Sequence, residues 1–132
     1  MFKFLDQLRD LGYLILRVGI GIMFAYHGYG KLAGGVPMWE QVGSVVGILG
    51  ITAGYKFFGF LATISEFGGG LCLIFGFLFR PACIMLFLTM AMATTMHLTK
   101  GDGLDIASHA IEAGIVFLGM LFIGPKLQKD KK

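Results

Sequence analysis

Residues 57–98 read FFGFLATISEFGGGLCLIFGFLFRPACIMLFLTMAMATTMHL, and Glu66, Arg80 and His97 are the charge-bearing side chains in that stretch. Arg80-Pro81 divides it into two apolar runs, Phe57 to Phe79 and Pro81 to Leu98. Each has roughly the 17–25 residues a helix needs to cross a hydrocarbon core about 30 Å thick. In lipid every backbone N–H and C=O must bond within its own segment, so runs of this kind are helices. Proline needs no backbone donor early in a helix. The spacing therefore predicts a tight antiparallel hairpin with Pro81 near the start of its second arm.

Two further runs flank the hairpin, Leu11 to Leu32 and Ile106 to Gly124. A β-barrel would show alternating strands of about ten residues, and none appears. The expectation is an all-α, polytopic membrane protein: one membrane domain over residues 1–132, built as a bundle of four transmembrane helices. Lys100 to Leu104, with Gly101, Asp102 and Gly103, reads as a short polar turn. The segment around 39–55 is apolar but too short to span, with glycines at 43, 47, 50 and 54. It reads as an interfacial or re-entrant segment, with Trp39 as its anchor, since indole rings favour the headgroup level. The run after Arg9 contains Arg17, which would interrupt the core of a cleaved signal, so it reads as a permanent helix.

Composition agrees. The chain has 132 residues, 56% hydrophobic and 14% charged, with a net charge of +3; its mean hydropathy is +0.78. Soluble domains are about a quarter charged, so the natural solvent here is a lipid bilayer. Net positive charge does not indicate nucleic acid, because the lysines crowd the tail and no basic face is interleaved with aromatics. Cys72 and Cys83 sit in apolar runs without CxxC or zinc spacing and read as packed thiols. Met85, Met90, Met92 and Met96 read as packing or lipid-facing residues.

Orientation follows from the Lys and Arg on each side. Lys3, Arg9, Arg80, Lys126, Lys129, Lys131 and Lys132 fall on the side of both termini, against Lys31, Lys56 and Lys100 opposite. Both termini are expected in the cytoplasm, with the protein in a bacterial plasma membrane.

Ionisable groups at membrane depth are costly and mark function by default. Arg17, His27, Lys31, Glu66, His97, His109 and Glu112 are the binding or proton-handling candidates. Helical depth places all but Arg17 in one layer toward the outer face. That predicts a polar cavity there, partly covered by the segment from Trp39 to Tyr55. Buried carboxylates need a partner, and Arg17 and Lys31 could supply the cations; Arg17 is the one expected to pair with Glu66. No metal is expected: His109-x-x-Glu112 puts two ligand types on one helix face, a spacing too common to carry a site. No nucleophile elbow, HExxH motif or nucleotide fingerprint is present, and no catalytic residue is assigned.

These residues resemble the DoxX family of small bacterial membrane proteins. The resemblance is carried by Leu16-Arg17-Val18-Gly19, His27-Gly28-Tyr29-Gly30-Lys31-Leu32, Glu66-Phe67-Gly68-Gly69-Gly70 and Gly76-Phe77-Leu78-Phe79-Arg80-Pro81-Ala82, with His97 and Glu112. It departs at Gly124-Pro125-Lys126, where many relatives have Gly-Pro-Gly. The resemblance implies a four-helix plasma-membrane protein. Some relatives are subunits of thiosulfate:quinone oxidoreductase, and others belong with membrane complexes handling oxidative or thiol stress.

Three functions fit. The leading one is a membrane subunit of a redox complex, not catalytic alone, whose polar cavity faces a quinone or passes its protons. The second is a small transporter or solute-binding protein using the same cavity. The third is a structural or assembly factor whose charges only fix the bundle. A redox partner subunit and self-association into a homo-oligomer are the protein partners consistent with such a bundle. Quinone is the one cofactor the reading points to.

Overall fold

The structure is a computed structural model that describes residues 2–127; Lys129, Lys131 and Lys132, counted above for orientation, lie outside the described residues. A short helix α1 (Lys3–Asp6) precedes α2 (Arg9–Ala33), α3 (Gly35–Gly43), a 3₁₀ segment η1 (Ser44–Leu49), α4 (Tyr55–Phe75), α5 (Phe79–Thr99) and α6 (Leu104–Ile123). No strand occurs among the described residues. Helices α2, α4, α5 and α6 are each long and apolar enough to cross a membrane. The end carrying α1 and the α4–α5 turn is called basal here, and the end carrying the α5–α6 loop distal.

Apolar side chains gain nothing by leaving lipid for each other, so helices associate in a membrane where small residues let backbones meet. That is how α2, α3 and α4 are joined. A Cβ at Gly28 would lie 2.3 Å from the Phe67 nitrogen, and one at Gly70 would lie 2.5 Å from the Ala25 nitrogen. Further along, a Cβ at Gly59 would lie 1.6 Å from the Trp39 carbonyl oxygen, and one at Gly43 would lie 1.8 Å from that of Tyr55. These contacts lay α2 and then α3 along the whole of α4. The break between them falls at Gly35, whose φ of 74° suits glycine. The segment expected to be interfacial thus divides in two. Its start is docked backbone to backbone on α4, and the rest, η1 onward, passes over toward α5.

The hairpin turn uses Gly76 and Leu78. Gly76, at φ 75°, closes α4 with its N–H bonded to the Cys72 carbonyl at 2.8 Å. Leu78 is the one non-glycine residue with positive φ among those described. Pro81 is the third residue of α5, where it interrupts no helical bond. Gly69 then admits Leu86, whose Cγ would stand 3.0 Å from an added Cβ. On α6, Gly114 lies against Met90 and Phe87.

The core is concentrated in the basal half. Leu73, Cys83, Leu86 and Phe117 are fully buried, with Phe79, Ala82 and Met120 around them. Phe24 meets Phe117 edge to face, with ring centroids 4.8 Å apart. Cys72 and Cys83 are free thiols within this packing.

The basal end is tied by side chains that reach orphan carbonyls, the groups a helix leaves unpaired in its last turn. Arg17 donates from one terminal nitrogen to the Pro125 carbonyl at 2.9 Å and from the other to that of Ile74 at 3.2 Å. Arg80 Nε donates to Leu121 O at 3.1 Å, and the Tyr13 hydroxyl donates to Gly124 O. Arg17 therefore does not pair with Glu66. The first two turns of α2 run past the end of α4, so Arg17 sits at the bundle's basal rim. Depth counted from the first apolar residue placed it too far in.

Candidate functional site

Above Gly69 and Leu86, α4 and α5 no longer fill the space between them. A cavity of about 710 Å³ opens there, lined by α4 from Phe58 to Glu66, by α5 from Met85 to His97 with Lys100 just beyond, by Lys31 of α2, and by α3 and η1 from Met38 to Ile48. Most of its wall is apolar: Val42, Val45, Val46, Leu61, Met92 and Met96 are representative. A concave, largely apolar chamber with a few placed polar groups is the usual form of a small-molecule site.

Its wall carries an ion pair. Lys31 Nζ lies 2.7 Å from Glu66 Oε1, with the Glu66 side chain 3% exposed and that of Lys31 33% exposed. Lys31 comes from the last turn of α2 and Glu66 from the middle of α4, about 16 Å from its distal start. The approach of α2 at Gly28 beside Phe67 brings the lysine within reach. Trp39 helps fix that end: its Nε1 donates to the Lys31 carbonyl at 3.2 Å, and its ring meets Phe60 edge to face at 4.9 Å. One turn from Glu66, the buried Thr63 hydroxyl has no hydrogen-bond partner.

At the distal mouth, His97 Nδ1 lies 2.9 Å from Asp102 Oδ2, with both side chains about a third exposed or less. Which ring nitrogen carries the proton depends on the tautomer. Lys100 follows one turn later and lines the same mouth.

Of the residues singled out in the sequence, the fold brings Lys31, Glu66 and His97 to one cavity. It places Arg17 at the basal rim. His27 is exposed on α2 beside Phe24, and His109 and Glu112 are exposed on α6. Among the described residues no three His, Cys, Asp or Glu side chains gather as metal ligands. Met85, Met92 and Met96, read from sequence as packing or lipid-facing, form part of the cavity wall. Lys100, Ser65 and Thr89 were missed. Lys100 stands three residues after His97 and therefore on its face of the chain, which was the available signal. The hydroxyls gave none.

An ammonium and a carboxylate held together in an apolar chamber are neutral as a pair, so neither charge is left bare. Each can still accept or donate a hydrogen bond to a ligand's polar head, and the pair can pass a proton between its members. Most of the remaining wall is apolar and suits hydrocarbon.

The DoxX family model matches residues 12–98. The chain is 30% identical over 102 residues to "Inner membrane protein YqjF" of Escherichia coli (strain K12), covering 76% of this chain and 73% of that one. No solved structure matches.

Proposed function

The chain belongs to the DoxX family, and from that premise we propose that it is an inner-membrane subunit of a redox complex whose distal cavity receives the head of a quinone. The observation that carries this reading is the Lys31–Glu66 pair, set 2.7 Å apart in the wall of an apolar chamber. A quinone carbonyl accepts from the ammonium, and a hydroquinone hydroxyl donates to the carboxylate, so the pair serves both redox forms of the head. Protons that accompany reduction need such a group within hydrogen-bond reach. Electrons would come through a partner subunit. The Lys and Arg distribution supports cytoplasmic termini, strengthened by Arg17 joining the basal side.

The test is equilibrium binding of a short-tailed quinone to the purified protein in lipid nanodiscs. Saturable binding is expected, and Glu66→Gln should weaken the hydroquinone form about tenfold or more, the scale of a lost charge-assisted hydrogen bond. Equal binding by wild type and a folded Glu66→Gln protein would overturn the reading.

A further inference from the structure

We infer that the ligand enters the cavity sideways from the bilayer, between α4 and α5, with its head inward at Lys31–Glu66 and its single apolar tail left in the gap between Leu61 and Leu88. This rests on the cavity being a quinone site, and it adds the route and the orientation.

Three observations point this way. Glu66 and Thr89 stand at the same level, because each lies three residues distal to the close contact of Gly69 with Leu86. The polar centre is therefore near mid-bundle, far from either aqueous end. The flank between α4 and α5 carries exposed apolar side chains, which suit a face toward lipid: Leu61, Met85 and Leu88 line the cavity and are 41%, 36% and 52% exposed. Met85, Leu88 and Met92 fall at three- and four-residue spacing, one stripe of α5. By contrast, the distal route passes Val42, Val45, Val46 and Ile48 of the cover and charged or polar groups at the mouth, His97 and Lys100. An isoprenoid or acyl tail gains nothing by crossing that mouth toward water, since apolar surface is favoured in hydrocarbon over water.

The hydroxyls flanking the centre fit the same direction. Ser65 Oγ donates to Leu61 O and Thr89 Oγ1 to Met85 O, each at 2.8 Å. With their protons committed to the helices, both present lone pairs to whatever passes through the gap. A hydroquinone head, whose hydroxyls donate, can thus cross between α4 and α5 against acceptors rather than bare hydrocarbon.

Fluorescence quenching by a quinone brominated at the end of its tail decides the matter. In a Trp39→Phe background, single reporters are introduced by Leu88→Trp at the gap, Ile48→Trp at the distal cover and Ile115→Trp on α6, which is 64% exposed and reports bulk lipid. Expected is saturable quenching of the Leu88→Trp protein at about one probe per protein, severalfold above that of Ile115→Trp, with Ile48→Trp little changed. Strongest quenching in Ile48→Trp, or equal quenching in Leu88→Trp and Ile115→Trp, overturns the route. A tail-brominated fatty alcohol, run in parallel, separates the two readings. If it alone gives the expected pattern, the lateral route stands and the quinone head does not. If the quinone binds saturably but quenches at Ile48→Trp, the head stands and the route falls.

Discussion

Lys31, in the last turn of α2, reaches Glu66 in the middle of α4, its Nζ 2.7 Å from Oε1. The contact ties the distal end of one spanning helix to the centre of another. Removing one partner of a buried pair leaves an uncompensated charge, at a cost of up to about 3–5 kcal/mol. Lys31→Met and Glu66→Gln should each lower the melting temperature in detergent. The double variant should lose less than the sum of the two. Strict additivity would show that the pair contributes no coupling.

Arg17 should behave as an independent clamp. Arg17→Met removes donors from the Pro125 and Ile74 carbonyls, 2.9 and 3.2 Å away. Hydrogen bonds from a charged group contribute about 1.5–3 kcal/mol each, so a clear destabilisation is expected. Combined with Glu66→Gln, the losses should add to within about 0.5 kcal/mol, as for sites without shared partners. A large coupling energy would return Arg17 to the polar site.

The glycines separate into those that touch and those that do not. Gly28→Ala and Gly59→Ala place a methyl where Phe67 and Trp39 backbone atoms already stand, and overpacking of this kind costs about 1–3 kcal/mol or more. Gly19 and Gly30 have nothing within 4 Å of an added Cβ, so Ala there should be neutral or add up to about 1 kcal/mol through helix propensity. Melting of the four single variants checks the contrast, and equal effects would contradict the packing described.

Topology is open to labelling. With Cys72 and Cys83 replaced, a cysteine introduced at Asp102 in the distal loop should react with an impermeant thiol reagent applied to intact cells. One at Lys126 should react only after permeabilisation. The opposite pattern would place the termini outside.

The four spans and the hairpin were legible because length and apolarity alone demand helices in lipid, as Phe57 to Leu98 illustrates. Lys31, Glu66 and His97 were legible as costly groups, but which of the two cations meets Glu66 was not. Depth was counted from the ends of apolar runs, whereas α2 extends about two turns past the basal end of α4 and α3 continues its line on the distal side. That offset moves Arg17 to the rim and lets Lys31, not Arg17, meet Glu66. His109 and Glu112 share a helix stripe as their spacing requires, yet a stripe does not say which neighbour it faces, and theirs is exposed. The methionine wall was hidden for a related reason, because a lipid-facing and a cavity-facing Met look alike in sequence.

The backbone seam between α3 and α4 also orders the protein's assembly in time. Gly43 and Trp39 find their seats at Tyr55 and Gly59, which follow them in the chain, so this seam of α3 cannot form until α4 has been synthesised and inserted. The chamber roof closes later still, when α5 arrives to complete the opposite wall. A half-made chain therefore carries no chamber at all, and ligand held by the nascent protein would report that the hairpin of α4 and α5 is already in place.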